Sequence, residues 1–201
     1  MGERRHPAAD AVVAGPFGVA TTTPVRLGAP LADMVELRVP PNGEAALRAA
    51  LRNSLRLELP AVGHATRAGQ LRLLATQPLG WVVVTPSGAE GALARMLRDV
   101  VGDNVAVVDQ SHGRCLLTVE GAAAPELLAR FIRIDLAPDR FGLDHVAATR
   151  IGHVSGLVWH HDPRPGFALQ LFSSYAEAVW RDLVHVAAGF GGEVVEDATF
   201  E

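Results

Sequence analysis

Between residues 34 and 109, two stretches with a helical apolar period are set among strand-length apolar runs, and that alternation restricts the fold more than any single motif. Ala46, Leu47, Ala50 and Leu51 recur on one helical face, and Leu93, Met96, Leu97 and Val100 follow the i, i+3, i+4, i+7 spacing. The runs at 34–39, 71–75, 81–85 and 105–109 have strand length and are bounded by turn residues. Pro41-Asn42-Gly43 opens the first helix, Ser87 is expected to cap the second, and Gln77-Pro78-Leu79-Gly80 turns a hairpin. The order reads βαββαβ.

The chain after residue 110 repeats this plan in outline. A strand at 115–119 leads into a helix from about 123, where Pro125 suits the first turn and Leu127, Leu128, Phe131 and Ile132 share one side. Strand candidates follow at 146–151, 154–160 and 167–172, then a last helix over 174–188 and a short terminal strand. The fold class expected is therefore α+β, with duplicated βαββαβ (ferredoxin-like) halves whose antiparallel sheets carry helices on one face. Residues 1–30 hold Pro7, Pro16, Pro24 and Pro30 with Gly15, Gly18 and Gly28, a density that forbids a long helix and predicts an extended arm. Residues 31–201 are expected to form a single α+β domain of two halves, about 31–110 and 111–201.

With 18 basic and 22 acidic residues the chain offers no broad basic surface, so nucleic acid is not expected as a partner. An apolar content of 49% argues against disorder. No apolar run reaches the roughly 20 residues of a membrane span, and one cysteine, Cys115, excludes an internal disulfide framework. A soluble protein of the reducing cytoplasm is the expectation.

The reactive residue types cluster without completing a site. His153, His160 and His161 lie close in sequence, but neighbours on a strand point to opposite faces, so surface histidines at a strand end are expected rather than a metal centre. Asp109-Gln110-Ser111-His112 brings together the triad residue types, yet consecutive residues do not make a triad, and a turn in which Asp109 and Ser111 bond local amides is the better reading. Gly189, Gly191 and Gly192 follow a helix, whereas a dinucleotide fingerprint follows a strand and opens a helix. Cys115 reads as a core thiol, and Arg130, Arg133 and Arg140 around Asp135 as surface ion pairs.

The runs VVDQSHGRCLLTVEGAAAPELLARFIRIDL, VAATRIGHVSGLVWHHD and FALQLFSSYAEAVWRDLVHVAAGFG, with LPAVGHATRAGQLRLLATQPLGWVVV upstream, resemble the gamma subunits of heterotetrameric sarcosine oxidase. The most specific pieces are the D-x-S turn at Asp109 and Ser111, the I-D-L at Ile134, Asp135 and Leu136, and S-Y-A-x-x-V-W-x-x-L ending at Leu183. More distantly the pattern is similar to the folate-binding part of the glycine-cleavage T-protein. The resemblance implies a small companion chain in a complex that demethylates sarcosine oxidatively to glycine. Hydrogen peroxide is formed, with formaldehyde or 5,10-methylenetetrahydrofolate.

It further implies that FAD, FMN, NAD and tetrahydrofolate sit in partner subunits, here alpha, beta and delta, with none in this chain. Phe172 and Ser173 stand where the family's usual arginine precedes the last-helix serine, so no catalytic, cofactor or metal residue is carried over. Phe17, Trp159, Phe167 and Tyr175 are the candidate subunit-interface anchors, because stable interfaces bury aromatic side chains. The alternative implied by the T-protein likeness is a stand-alone folate-binding or aminomethyltransferase-like protein.

Overall fold

The computed structural model describes residues 4–196 together with Ala198 and Phe200. In chain order, β1 (Gly15–Phe17), β2 (Val25–Gly28) and β3 (Ala32–Arg38) precede α1 (Glu44–Leu55), β4 (Ala65–Ala68), β5 (Leu71–Gln77), β6 (Gly80–Pro86), α2 (Ala92–Val101) and β7 (Ala106–Asp109). Then come β8 (Arg114–Glu120), α3 (Ala124–Ala129), β9 (Val146–Ile151), β10 (Val154–Asp162), β11 (Gly166–Phe172), α4 (Ala176–Ala187) and β12 (Gly192–Val195). They divide between a continuous unit, Ala32–His112 with Asp144–Val146, and a segmented unit. The latter is drawn from the chain up to Leu31, Gly113–Leu143 and the chain from Ala147 onward. The fold class is α+β, with sheets that are mostly antiparallel.

In the continuous unit the sheet runs β4-β5-β6-β3-β7 with antiparallel pairings. Val35, Leu37, Leu73, Ala75, Trp81 and Val83 alternate onto one face, and Leu47 and Leu51 of α1 join Leu93 and Leu97 of α2 in the same core. The two periods seen in the sequence meet there. At the β7 edge the Arg98 guanidinium donates to the Val107 carbonyl at 3.4 Å, covering a group that would otherwise invite strand pairing.

Ser87 does not cap α2, whose N-cap is Gly91. The Ser87 hydroxyl donates to Asp33 at 3.3 Å and the Gly88 amide donates to the same carboxylate at 3.0 Å, which ties this loop to β3. Strand β4 was not anticipated either. Its Ala-Thr-Arg-Ala sequence carries no apolar run, and the strand exists through its pairing with β5.

The segmented unit has a seven-stranded sheet, β1-β12-β2-β8-β11-β10-β9. Strand β12 pairs parallel with β2 and antiparallel with β1, so two strands from the first 30 residues flank the last strand of the chain. The stretch expected as an arm thus supplies sheet strands. Gly192 permits this arrangement: a Cβ there would lie 2.0 Å from the Phe17 ring. Gly191, at φ +75°, would carry a Cβ 2.3 Å from Thr21.

The core beneath contains Leu27, Leu117, Val119, Phe167, Leu169, Trp180 and Leu183. Helix α3 is shorter than its apolar pattern predicts, because the chain leaves the helix after Ala129 and Ile132 bridges to Ile151. The last helix starts as a 3-10 turn, Ser173–Tyr175, before α4 begins.

Candidate functional site

The end of β7 gathers the residue types that most resemble a catalytic set. The Asp109 carboxylate accepts the Ser111 amide at 2.9 Å, which makes a local turn as the sequence predicts. Ser111 does more than the sequence reading allowed. Its hydroxyl oxygen accepts the Met34 amide at 3.0 Å and donates to the Met34 carbonyl at 3.4 Å, while the Gln110 amide donates to the same carbonyl at 2.8 Å. The hydroxyl is therefore a buried extension of the β3–β7 pairing. His112 lies on the surface against Glu90, at 3.5 Å. A triad requires the serine hydroxyl to be directed at its base, whereas the Ser111 hydroxyl is engaged with the Met34 backbone.

The two adjacent histidines of β10 are buried, at 7% and 5% exposure, which corrects the expectation of surface positions. The His160 ring stacks on Phe167 with centroids 4.7 Å apart, and its Nδ1–H donates to the Phe141 carbonyl at 3.2 Å. His160 is thus a core side chain with one satisfied donor. Among the described residues no three of His, Cys, Asp and Glu gather in a way that would hold a metal ion. Burial pushes the Cys115 thiol up to about 12, with Arg114 opposing more weakly, and such a protonated thiol is a poor nucleophile.

Of the four candidate anchors, Trp159 and Phe167 are 1% and 0% exposed. Buried within this chain, neither offers surface to a partner. Phe17 is half-buried and its ring fills the space left by Gly192. Tyr175 is 47% exposed and keeps the expected role open. Close by in sequence, Phe172 is 42% exposed, and the Arg114 guanidinium lies 3.6 Å over its ring. The register that sets Arg114 opposite Phe172 joins β8 to β11, so this surface pair could not be read from local sequence. The sequence reading placed Phe172 at a strand end and at the family's arginine position, not among the interface anchors.

The glycine-rich segment after α4 does not fit a dinucleotide. Its loop runs from helix to strand, the reverse of the strand-to-helix order of a dinucleotide fingerprint. Among the described residues are two open depressions, the second beside this same segment. One of about 840 Å³ runs along the outer side of α1, where Arg48 is held by the Leu59 carbonyl at 3.1 Å and by Glu44 at 2.8 Å. The other, about 500 Å³, follows Phe17, Val19, Thr21 and Pro24 beside Glu193. Neither presents the convergent acid, base and nucleophile of a hydrolytic or transfer site. No helix among the described residues is long and apolar enough to cross a membrane.

The profile of the sarcosine oxidase, gamma subunit family matches residues 41–189. Sarcosine oxidase subunit gamma of an Arthrobacter species is 28% identical over 63% of this chain and 61% of its own length. The subunit gamma of Corynebacterium sp. (strain P-1) is 29% identical over 59% of this chain and 57% of its own. The chain thus spans about three-fifths of the length of these curated relatives.

A chain of the heterotetrameric sarcosine oxidase from Corynebacterium sp. U-96, solved with pyrrole 2-carboxylate, superposes with a TM-score of 0.77 and 26% identity. The overlap covers 93% of this chain and 96% of that one. The glycine cleavage system aminomethyltransferase T from Bartonella henselae shares the fold, with a TM-score of 0.62 and 17% identity over 85% of this chain and 47% of that one. Since the family profile runs from the start of α1 past the end of α4, the chain belongs to the sarcosine oxidase gamma subunit family.

Proposed function

We propose that this protein is the small gamma subunit of a cytoplasmic heterotetrameric sarcosine oxidase and completes that assembly without supplying reacting groups. The complex would convert sarcosine, O2 and water to glycine, formaldehyde and hydrogen peroxide, or pass the one-carbon unit to tetrahydrofolate. FAD, FMN, NAD and tetrahydrofolate would be held by the alpha, beta and delta partners. The observation that carries this reading is the likeness to a chain of the Corynebacterium oxidase over almost the full length of both. The chemistry of the chain supports it. The Ser111 hydroxyl is engaged by backbone, burial keeps the Cys115 thiol protonated, and the glycine segment runs from helix to strand rather than opening a helix.

The reading extends to the fold: the two units descend from one βαββαβ plan. In the continuous unit β3, β5, β6 and β7 stand in the spatial order β5-β6-β3-β7. In the segmented unit β8, β10, β11 and β12 stand in the corresponding order β10-β11-β8-β12, with β2 inserted before β12. Tyr175 and Phe172 are the side chains proposed to meet a larger subunit, because exposed aromatics beside an arginine suit an interface.

The test is turnover by the full chain expressed alone and supplied with FAD, FMN and NAD. No peroxide above the reagent blank is expected from sarcosine. Sarcosine oxidation by the chain alone would overturn the assignment. Calorimetry with tetrahydrofolate on the same preparation addresses the stand-alone folate reading, and absence of heat and of thermal stabilisation is expected.

A further inference from the structure

The first described residues of the segmented unit lie across its sheet and its last helix, and one histidine fastens them. His6 is 8% exposed. Its Nε2–H donates to the Leu116 carbonyl of β8 at 3.0 Å, and its Nδ1 accepts the Ala8 amide at 3.1 Å. Strand β2 pairs with β8 only at Thr118, Val119 and Glu120, so the imidazole takes up a strand carbonyl just beyond that pairing.

The fastening has further points. Ala8 is fully buried in the core, the Val12 amide donates to the Ala8 carbonyl at 3.1 Å, and the Trp180 indole N–H of α4 donates to the Ala11 carbonyl at 3.1 Å. Val13, immediately beyond, is 76% exposed.

These bonds fix the protonation state of the ring. A carbonyl can only accept, so Nε2 carries the proton, and an amide N–H can only donate, so Nδ1 carries none. A second proton would set N–H against N–H at Ala8 and place a charge in a buried site. We propose that residues 4–13 form a strap which protonation of His6 releases, while the sheet and helices of the segmented unit stay folded. The charged neighbours reinforce this. On its own segment Arg4 opposes a second cation, and Arg5 is paired with Asp10 at 3.0 Å. On β8, Cys115 beside the accepting carbonyl is a neutral thiol and the Arg114 guanidinium lies over Phe172; on α4, Glu177 is already paired with Arg181.

The sign follows from burial, which holds the His6 pKa below 6.5, with the Leu116 bond opposing and Arg4 assisting. The closed strap is favoured above pH 6.5, and its advantage falls as pH drops through the lowered value. Between those two pH values, opening should rise by up to about tenfold per pH unit.

Hydrogen exchange on the full chain from pH 8 to about 5, corrected for intrinsic rates, reads this directly. Amides of residues 6–12 are expected to lose protection below pH 6.5 while those of β8 and β11 keep theirs. The ring titration of His6 by NMR should track the same curve. His6→Gln keeps a donor and an acceptor but cannot titrate, and its strap should hold without this pH dependence. Wild-type protection unchanged down to about pH 5 would overturn the proposal. So would His6→Gln losing protection with the wild-type pH dependence, or a His6 titration that does not follow strap release.

Discussion

The two units solve the same packing problem with different use of the chain. In the continuous unit every strand of the sheet comes from one uninterrupted stretch, and sequence neighbours such as β5 and β6 pair directly. In the segmented unit the outer part of the sheet joins the two ends of the chain, with Gly15 opposite Val194 and Val25 opposite Gly192. The difference shows where information about a sheet resides. An apolar alternation identifies a strand, while its neighbour is chosen by packing that can lie nearly the whole chain away.

The strongest way to break the comparison is to remove the distant strands. Deleting residues through Gly28 takes away β1 and β2, and hydrogen exchange should then show loss of protection in β8, β11 and β12 while β3, β5 and β6 remain protected. Equal loss in both sheets would mean that the units do not stand apart energetically. A finer cut compares two fully buried leucines. Leu27→Ala in β2 and Leu47→Ala in α1 should each cost about 2–5 kcal/mol, the first lowering protection only in the segmented unit and the second only in the continuous one.

Gly192→Ala sharpens the account of how the chain ends meet. The added methyl would press on the Phe17 ring, and a loss of about 1–3 kcal/mol is expected in denaturant unfolding. Phe17→Ala in the same chain should recover part of that loss, since the two positions share one space. Strict additivity would remove Phe17 as the cause. The smallest effect belongs to a surface pair of the segmented unit. The Arg164 guanidinium, through its side-chain hydrogen bond, holds the Asp162 carboxyl down at about 2, from an ordinary 3.8. Its stabilising contribution is present above pH 3.8 and is lost as pH falls through about 2. In Arg164→Gln an NMR titration should place Asp162 nearer 3.8.

The same contrast explains what could be read in advance. The helices of the continuous unit and its strands β3, β5, β6 and β7 follow from Leu47, Leu51, Leu93 and Leu97 and from the alternating runs around them, because each pattern is local. The first 30 residues read as an arm, since Pro16 and the glycines resemble a linker until Gly192 and Phe17 are seen to interlock. For the candidate site, the Asp109 turn was legible as an Asx turn, whereas the Ser111 bond to Met34 depends on a strand 77 residues away. Trp159 and Phe167 looked like interface anchors because aromatic residues serve cores and interfaces alike, and only burial separates the two uses. The Arg114–Phe172 surface pair was not legible because it exists only across β8 and β11.

Native mass spectrometry of this chain co-expressed with the candidate larger subunits tests the central claim most directly. One copy of the chain should be found in a four-subunit, flavin-bearing complex, and Tyr175→Ala with Phe172→Ala should weaken that association while leaving the fold of the chain intact. A wild-type chain that remains separate from those subunits would contradict the assignment.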